Sequence, residues 1–360
     1  MTDRTTILIT GVAGYWGSEV AARLTADGRY RVLGLDTRRP AGEIPGVDFI
    51  LADIRNPLMV ELLKAEAVDI VCHLAFRRST RRSEPVFDSN VIGTTKLLGA
   101  CASAGVRKVV LKSSTVVYGA RPTNSAFLAE DHALRGSRRY GYIRDWVEIE
   151  TFCNGYRHRV PELALTILRF ANIVGPTAST PMTCFLSSAR APSLMGFDPM
   201  LQVIHEEDVV EALLHTLDND IPGVFNVAAH DPLPLSKMRG IVGKPPLAVY
   251  HSVADWGTAI LGTIRLQLQD YLPLEPSYLR YPWVADLTRM RDDLGFVPRY
   301  TAVEALREFA ARLRLGRYRT GDNQLAKDED QLREVIARRQ RARDRQRPSP
   351  LQANGGADHG

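Results

Sequence analysis

The sequence predicts an α/β fold in which a doubly wound parallel sheet is followed by a smaller C-terminal α/β part. Three observations carry that prediction. Thr5 to Leu24 reads TTILITGVAGYWGSEVAARL, where a β-branched apolar run breaks into Gly11, Gly14 and Gly17. An amphipathic helix follows, with Val20, Ala21 and Leu24 as its apolar positions. From there to about residue 175 apolar strands alternate with helical stretches, the rhythm of a parallel sheet covered on both faces. The second strand ends in Asp36, nineteen residues after Gly17, where a carboxylate can take the ribose hydroxyls of a dinucleotide.

The elements follow in order. The first turn is an anion site, because backbone N–H groups point outward at a helix N-terminus and the helix dipole favours negative charge. Gly11 permits the tight turn, Gly14 lets a pyrophosphate approach the backbone, and Gly17 lets helix and strand pack closely. That is a Rossmann-type dinucleotide site. Further strands are expected at Arg31–Leu35, Asp48–Leu51 (leading into Asp53), Asp69–Leu74, Lys108–Leu111 and Ala164–Leu168. Helices are expected at Asn56–Ala65, Asp88–Ala104 and Arg144–Arg157, with ligands at the strands' carboxyl ends. From about 176 the rhythm breaks: Met200–Val203 reads as a short strand, Glu206–Leu217 as a helix and Gly223–Val227 as a strand. Asp255–Tyr271 places Trp256, Ile260, Ile264 and Leu268 on one helical stripe. It reads as a helix packed on the small domain, or as a lid or membrane-surface face. Gln324–Gln346 reads as a charged helix and Arg347 to Gly360 as a disordered tail. The expected division is 1–175 for the dinucleotide domain and 176–315 for a smaller substrate-binding part, from which strands can return to the first half. Residues 316–360 form the charged helix and basic tail.

Composition narrows the function classes. A chain of 360 residues, 45% hydrophobic and 24% charged, is ordinary for a soluble globular protein. No apolar run reaches the roughly 18 residues of a membrane span. MTDRTT runs straight into a strand, without a signal-peptide pattern. The four cysteines are far apart and lack metal-ligand spacing, so neither a disulfide framework nor a metal site is expected, and a cytoplasmic location is. The net charge of +5 is concentrated: Arg333 to Arg347 holds seven arginines against Glu334 and Asp344. The body is near neutral, which argues against nucleic acid as a partner.

Four stretches in the first half resemble the extended short-chain dehydrogenases/reductases, the group of NAD-dependent epimerases and dehydratases that includes nucleotide-sugar epimerases. TGVAGYWG (Thr10–Gly17) is similar to the family's TGxxGxxG turn, and His73-Leu74-Ala75 to its HLAA strand end. Asn90-Val91-Ile92-Gly93-Thr94 is similar to NVxGT, and Ser113 to Gly119 to SSxxVYG. Downstream, Leu168 to Pro176 resembles LRxxNVYGP and Ile204 to Val209 resembles IHVxDV. The resemblance covers about residues 5 to 310. It implies that Gly11, Gly14 and Gly17, with the backbones of Tyr15 and Trp16, hold a pyrophosphate. It further implies that Asp36 binds the adenosine ribose and favours NAD, while Arg38 and Arg39 leave NADP open. Asp53 and Ile54 would border adenine, Leu74 and Ala75 would run beneath the cofactor, and Asn90 would belong to the same site.

The family's base is a tyrosine supported by a Ser or Thr and by a Lys four residues on. Ser114 stands at the serine position. YxxxK fits neither register of Tyr140-Gly141-Tyr142-Ile143-Arg144-Asp145-Trp146. From Tyr140 the fourth residue is Arg144; from Tyr142 it is Trp146. The interval to Asn172 favours Tyr142, and Tyr140 stays open with Arg144 as its partner, because i and i+4 share a helix face. The dehydratase Asp-Glu pair is replaced by Thr115 and Val116, so elimination of water is not expected. The phosphate-gripping Arg-Asp is replaced by Leu201 and Gln202, whereas Asn172, a sugar-diphosphate position, is kept. The expected function is an NAD-dependent epimerase or dehydrogenase acting by hydride transfer at a secondary alcohol, foremost of a nucleotide sugar. The alternatives are a weakened NAD(P)-binding sensor or scaffold and a reductase of lipid-like alcohols. Relatives dimerise through helices here at Asp88–Ala104 and Arg144–Arg157, so the resemblance implies a homodimer.

Overall fold

A computed structural model describes residues 4–188, 192–244, 247–249 and 275–321, together with 335 and 339. The stripe expected at Asp255–Tyr271 lies outside the described residues, as do the expected charged helix (Val335 and Arg339 excepted) and tail. The chain divides into two compact units, Met1–Ala310 and Ala311–Gly360, and the site belongs to the first.

The chain runs β1 (Thr5–Thr10), α1 (Tyr15–Asp27), β2 (Tyr30–Asp36), β3 (Val47–Leu51), α2 (Met59–Ala65), β4 (Ile70–His73) and α3 (Glu84–Phe87). A π-helical turn, Asp88–Ile92, leads into α4 (Gly93–Ala104), followed by β5 (Lys108–Ser114), α5 (Gly141–Arg159), β6 (Ala164–Phe170) and β7 (Asn172–Val174). Then come α6 (Pro181–Ser187), β8 (Pro192–Leu194), β9 (Met200–Leu201), β10 (Val203–His205), α7 (Glu206–Asp218) and β11 (Gly223–Val227). β12 (Leu233–Pro234), α8 (Leu235–Val242), β13 (Leu247–Val249), α9 (Thr288–Asp292) and α10 (Ala302–Gly321) complete the order.

Seven parallel strands form the central sheet in the order β11-β6-β5-β4-β1-β2-β3. The chain starts at β1, moves outward to β3, and returns to β4 on the other side of β1. The crevice between β1 and β4 is therefore the topological switch point, where α/β sheets bind ligands. Both faces are covered, which is why β1, β4 and β5 are continuous apolar runs and not alternating ones. Ile7, Ile9, Val110, Leu168 and Phe170 share one core with Val20 and Leu24 of α1 and Val209, Leu213 and Leu217 of α7. The opposite face meets α5: Ser113 donates to Glu150, whose carboxylate also takes Arg169 of β6 at 2.5 Å. Arg169 further donates to the hydroxyl of Tyr118 at 2.7 Å, so this buried charge pair is fully hydrogen-bonded.

One local expectation changes. Met200–Val203 is two strands, not one: β9 pairs antiparallel with β12, and β10 pairs parallel with β7. Gln202 divides them, because its buried side-chain amide takes both backbone groups of Ala285, at 2.8 and 3.1 Å. β11 lies in the main sheet beside β6, a strand return from beyond residue 175.

Candidate active site

The glycine turn is built as its chemistry requires. Gly11 has φ +77, and a Cβ there would lie 2.7 Å from the amide nitrogen of Ala75. A Cβ on Gly17 would meet the Cα of Val12 at 2.7 Å. Gly14 is the N-cap of α1 and offers no side-chain cap, and the first turn holds no acidic residue. The first-turn amides of Tyr15, Trp16 and Gly17 are thus left for an anion. Asp36 closes the turn from β2: it accepts from the Ala13 amide at 3.1 Å and from the Arg38 amide at 3.2 Å. The Arg38 side chain is exposed. Asp53 is gripped by Arg55, which holds its carboxyl below the usual range, and Ile54 packs on Gly93 at the start of α4.

Leu74 and Ala75 run directly beneath the turn, and a buried hydrogen-bond chain fixes them. Thr94 donates to the carbonyl of Asn90 at 2.6 Å, so it can only accept from Nε2 of His73 at 2.9 Å. Nδ1 of His73 is then the acceptor for the Thr10 hydroxyl at 2.6 Å. Burial lowers the His73 pKa to about 4, so the ring is neutral. Asn90, expected at the cofactor, spends both amide protons inside the protein: it donates to the Arg77 carbonyl and to Asp145, each at 2.8 Å, and accepts from the Arg77 amide at 2.8 Å. It holds the floor of the crevice from below.

Ser114 ends β5, three residues beyond the His73–Leu111 pair, and its Oγ accepts from the Val116 amide at 3.4 Å. α5 begins at Gly141, so Tyr142 is helical and Tyr140 is the N-cap. The two rings meet edge to face at 6.5 Å. The loop after Ala75 caps this helix: Ser79 and Thr80 carbonyls take the amides of Tyr142 and Gly141 at 2.8 and 3.1 Å. Burial pushes the Tyr140 hydroxyl up to about 12 and raises Tyr142 further. Arg144 does not face either phenol. Its guanidinium is taken by Asp145 at 3.0 Å and Glu84 at 3.2 Å, and lies over the Phe87 ring at 4.4 Å. Trp146 stacks on Phe76 at 3.9 Å. The cations acting on the phenols are instead Arg78 for Tyr142 and Arg139 for Tyr140.

Sequence reasoning missed Tyr278 and Glu275. Tyr278 is buried and donates to the Val116 carbonyl at 2.7 Å, while Glu275 acts on Tyr140, Tyr142 and Tyr278, its buried Oε2 having no hydrogen-bond partner among the described residues. No local pattern marks either residue, since both reach Ser114's turn from far along the chain. Asn172 donates to the Gln202 carbonyl at 2.8 Å, and Leu201 is fully buried. Among the described residues no group of three or more His, Cys, Asp or Glu could hold a metal, and no helix is long and apolar enough to cross a membrane.

Residues 7–228 match the model of the NAD dependent epimerase/dehydratase family. The chain belongs to that family. An uncharacterised protein of Mycobacterium tuberculosis is 33% identical over 315 residues, spanning 84% of this chain and 82% of the relative. A UDP-glucose 4-epimerase of Azospirillum brasilense is 26% identical, with 85% of this chain and 92% of the relative covered. Among solved structures, MoeE5 in complex with UDP-glucuronic acid and NAD is 25% identical with a TM-score of 0.65, covering 86% of this chain and 99% of that one. UDP-glucose 4-epimerase of Thermotoga maritima, at 21% identity and a TM-score of 0.65, has the same fold.

Proposed function

We propose that this family member is an NAD-dependent epimerase or dehydrogenase acting by hydride transfer at a secondary alcohol carbon, with a nucleotide sugar as substrate. The observation that carries the reading is the uncapped start of α1 beside Asp36, in one crevice wall with Ser114. The glycine turn fits a dinucleotide: side chains on Gly11 or Gly17 would strike the backbone of Ala75 or Val12 and force the turn open, while a Cβ on Gly14 would meet nothing nearer than the Gly11 carbonyl at 3.3 Å. Gly11, Gly14, Gly17 and the amides of Tyr15 and Trp16 would hold the pyrophosphate, and Asp36 the ribose. A negative Asp36 disfavours a 2′-phosphate, so NAD is preferred, with exposed Arg38 as the group that could admit NADP. The nucleotide sugar is supported by the named substrates of the relatives, and Asn172 would face it.

Bound NAD supplies a hydride acceptor that becomes the donor for the return step. The protein's part is to move the hydroxyl proton. Tyr142 is the favoured acid/base and Tyr140 the alternative, each with Ser114 as hydrogen-bond partner. With its pKa raised by burial, the phenol is protonated at neutral pH. It therefore gives a proton to the returning alkoxide readily and takes one from the alcohol slowly. Oxidation should speed up from neutral to alkaline pH, and the bound sugar must bring the phenol's pKa down. Arg144, tied to Asp145 and Glu84, acts as a positioning residue for α5. That same tie favours the second reading, an NAD-binding protein without turnover.

The deciding experiment is an NMR time course of the protein with NAD and UDP-glucose, UDP-galactose or UDP-glucuronic acid, repeated with Tyr142→Phe and Tyr140→Phe. Conversion lost in only one variant identifies the base. Clear NAD binding without conversion of any sugar removes these substrates and leaves the binding role or a non-sugar alcohol.

A further inference from the structure

One cation in the crevice wall has no part in the assignments above. Lys112 lies on β5 two residues before Ser114 and therefore on the same face of the sheet. Its row is fixed by register: Lys112 pairs with Leu168, and Val110 and Leu168 both belong to the core under α1 and α7. At that depth an apolar side chain would be expected. Instead the ammonium sits 5.6 Å from the centre of the Trp16 ring, in the glycine turn itself. No carboxylate pairs with it among the described residues. The acidic groups on that side are otherwise engaged: Glu206 of α7 holds Thr177, and Glu207 holds Arg23. Glu19 and Tyr15 of α1 act on each other and not on Lys112, and the flanking strand residues Leu74 and Leu168 are apolar. α5 has no lysine at all.

Lys112 is only partly buried, yet an ammonium in this apolar row with no carboxylate beside it costs stability unless a ligand supplies the charge. Lys112 reaches from the Ser114 strand towards Trp16, and in the proposed site the nicotinamide half of the dinucleotide would run between the two. We propose that Lys112 sets the protein's preference between the two redox forms of its dinucleotide, favouring the reduced form. The two forms differ by the positive charge of the oxidised nicotinamide ring, so a fixed cation in this half of the crevice repels the oxidised form and spares the reduced one. The favoured direction is then hydride withdrawal from the substrate, the half-reaction for which the buried phenols are least suited. This inference rests on the proposed dinucleotide site.

The test is calorimetric titration of the full chain with NAD and, separately, NADH, for the wild type, Lys112→Met and Lys112→Arg. The expected result is tighter binding of NADH, a preference reduced about tenfold in Lys112→Met and kept in Lys112→Arg. In the wild type the preference should also shrink from pH 7 to pH 9.5, because burial lowers the Lys112 pKa to about 8. Equal weakening of both forms in Lys112→Met, or no change in their ratio with pH, overturns the inference and leaves the dinucleotide site standing. Failure of the wild type to bind either form overturns the dinucleotide site itself.

Discussion

At the scale of single residues, Gly17 and Lys112 make opposite bargains with stability. Gly17→Ala drives a methyl group to 2.7 Å from the Val12 Cα, backbone that cannot yield. A loss of about 1–3 kcal/mol in urea unfolding is expected, together with loss of NAD binding by calorimetry. Lys112→Met should do the reverse and raise the melting temperature at pH 7. The folded state holds the proton with a pKa of about 8 and the unfolded chain with the ordinary 10.5. Lys112 therefore destabilises fully below pH 8, and that penalty fades as pH rises towards 10.5. His73 has the matching sign at acid pH. Its folded pKa of about 4 lies below the ordinary 6.5, so the unfolded chain takes up a proton first as pH falls. About 3 kcal/mol of stability should be lost between pH 6.5 and pH 4, less so in His73→Gln. The glycines were legible because backbone shape dictates them locally. The work of Asn90 was not: its residue type fits a cofactor contact, and only the fold shows both its amide protons spent on Arg77 and Asp145.

At the scale of elements, α5 shows where sequence reading stops. Its helical pattern is plain, yet the two tyrosine registers cannot be separated by spacing. What spacing does not carry is the start of the helix at Gly141, capped by carbonyls of the 79–80 loop, and the removal of Arg144 by Glu84, which is 60 positions away. Neither fact leaves a local trace. The crevice floor and the tyrosine helix are one mechanical piece, joined through Asn90 and that loop. Asn90→Ala should lower the melting temperature, and NAD affinity should fall with it, through the lost bonds to Arg77 and Asp145. A variant that melts lower but binds NAD as the wild type does would show the floor to be independent of α5. β9 and β10 teach the same lesson in small: Gln202 looks like a strand residue until Ala285 is brought beside it.

At the scale of the whole molecule, the alternation of strands and helices was enough to read the parallel sheet with ligands at its carboxyl ends, while the strand order, and with it the switch point between β1 and β4, came from the fold. The alternation could not place β11, since a short apolar strand after a helix fits either half equally well. A chain ended at residue 175 leaves β6 without its outer partner, as an exposed parallel edge. Such a truncation should aggregate on expression, whereas one ended at residue 227 should give more soluble protein, measured by fractionation. The same edge has a meaning in time. During synthesis, β6 emerges well before Gly223 does, and at ordinary elongation rates the interval is on the order of seconds. For that interval the nascent chain already owns its glycine turn while its apolar edge waits for a neighbour. In that interval the open β6 edge can pair with another nascent chain, so the seconds before Gly223 arrives are the window for misassembly.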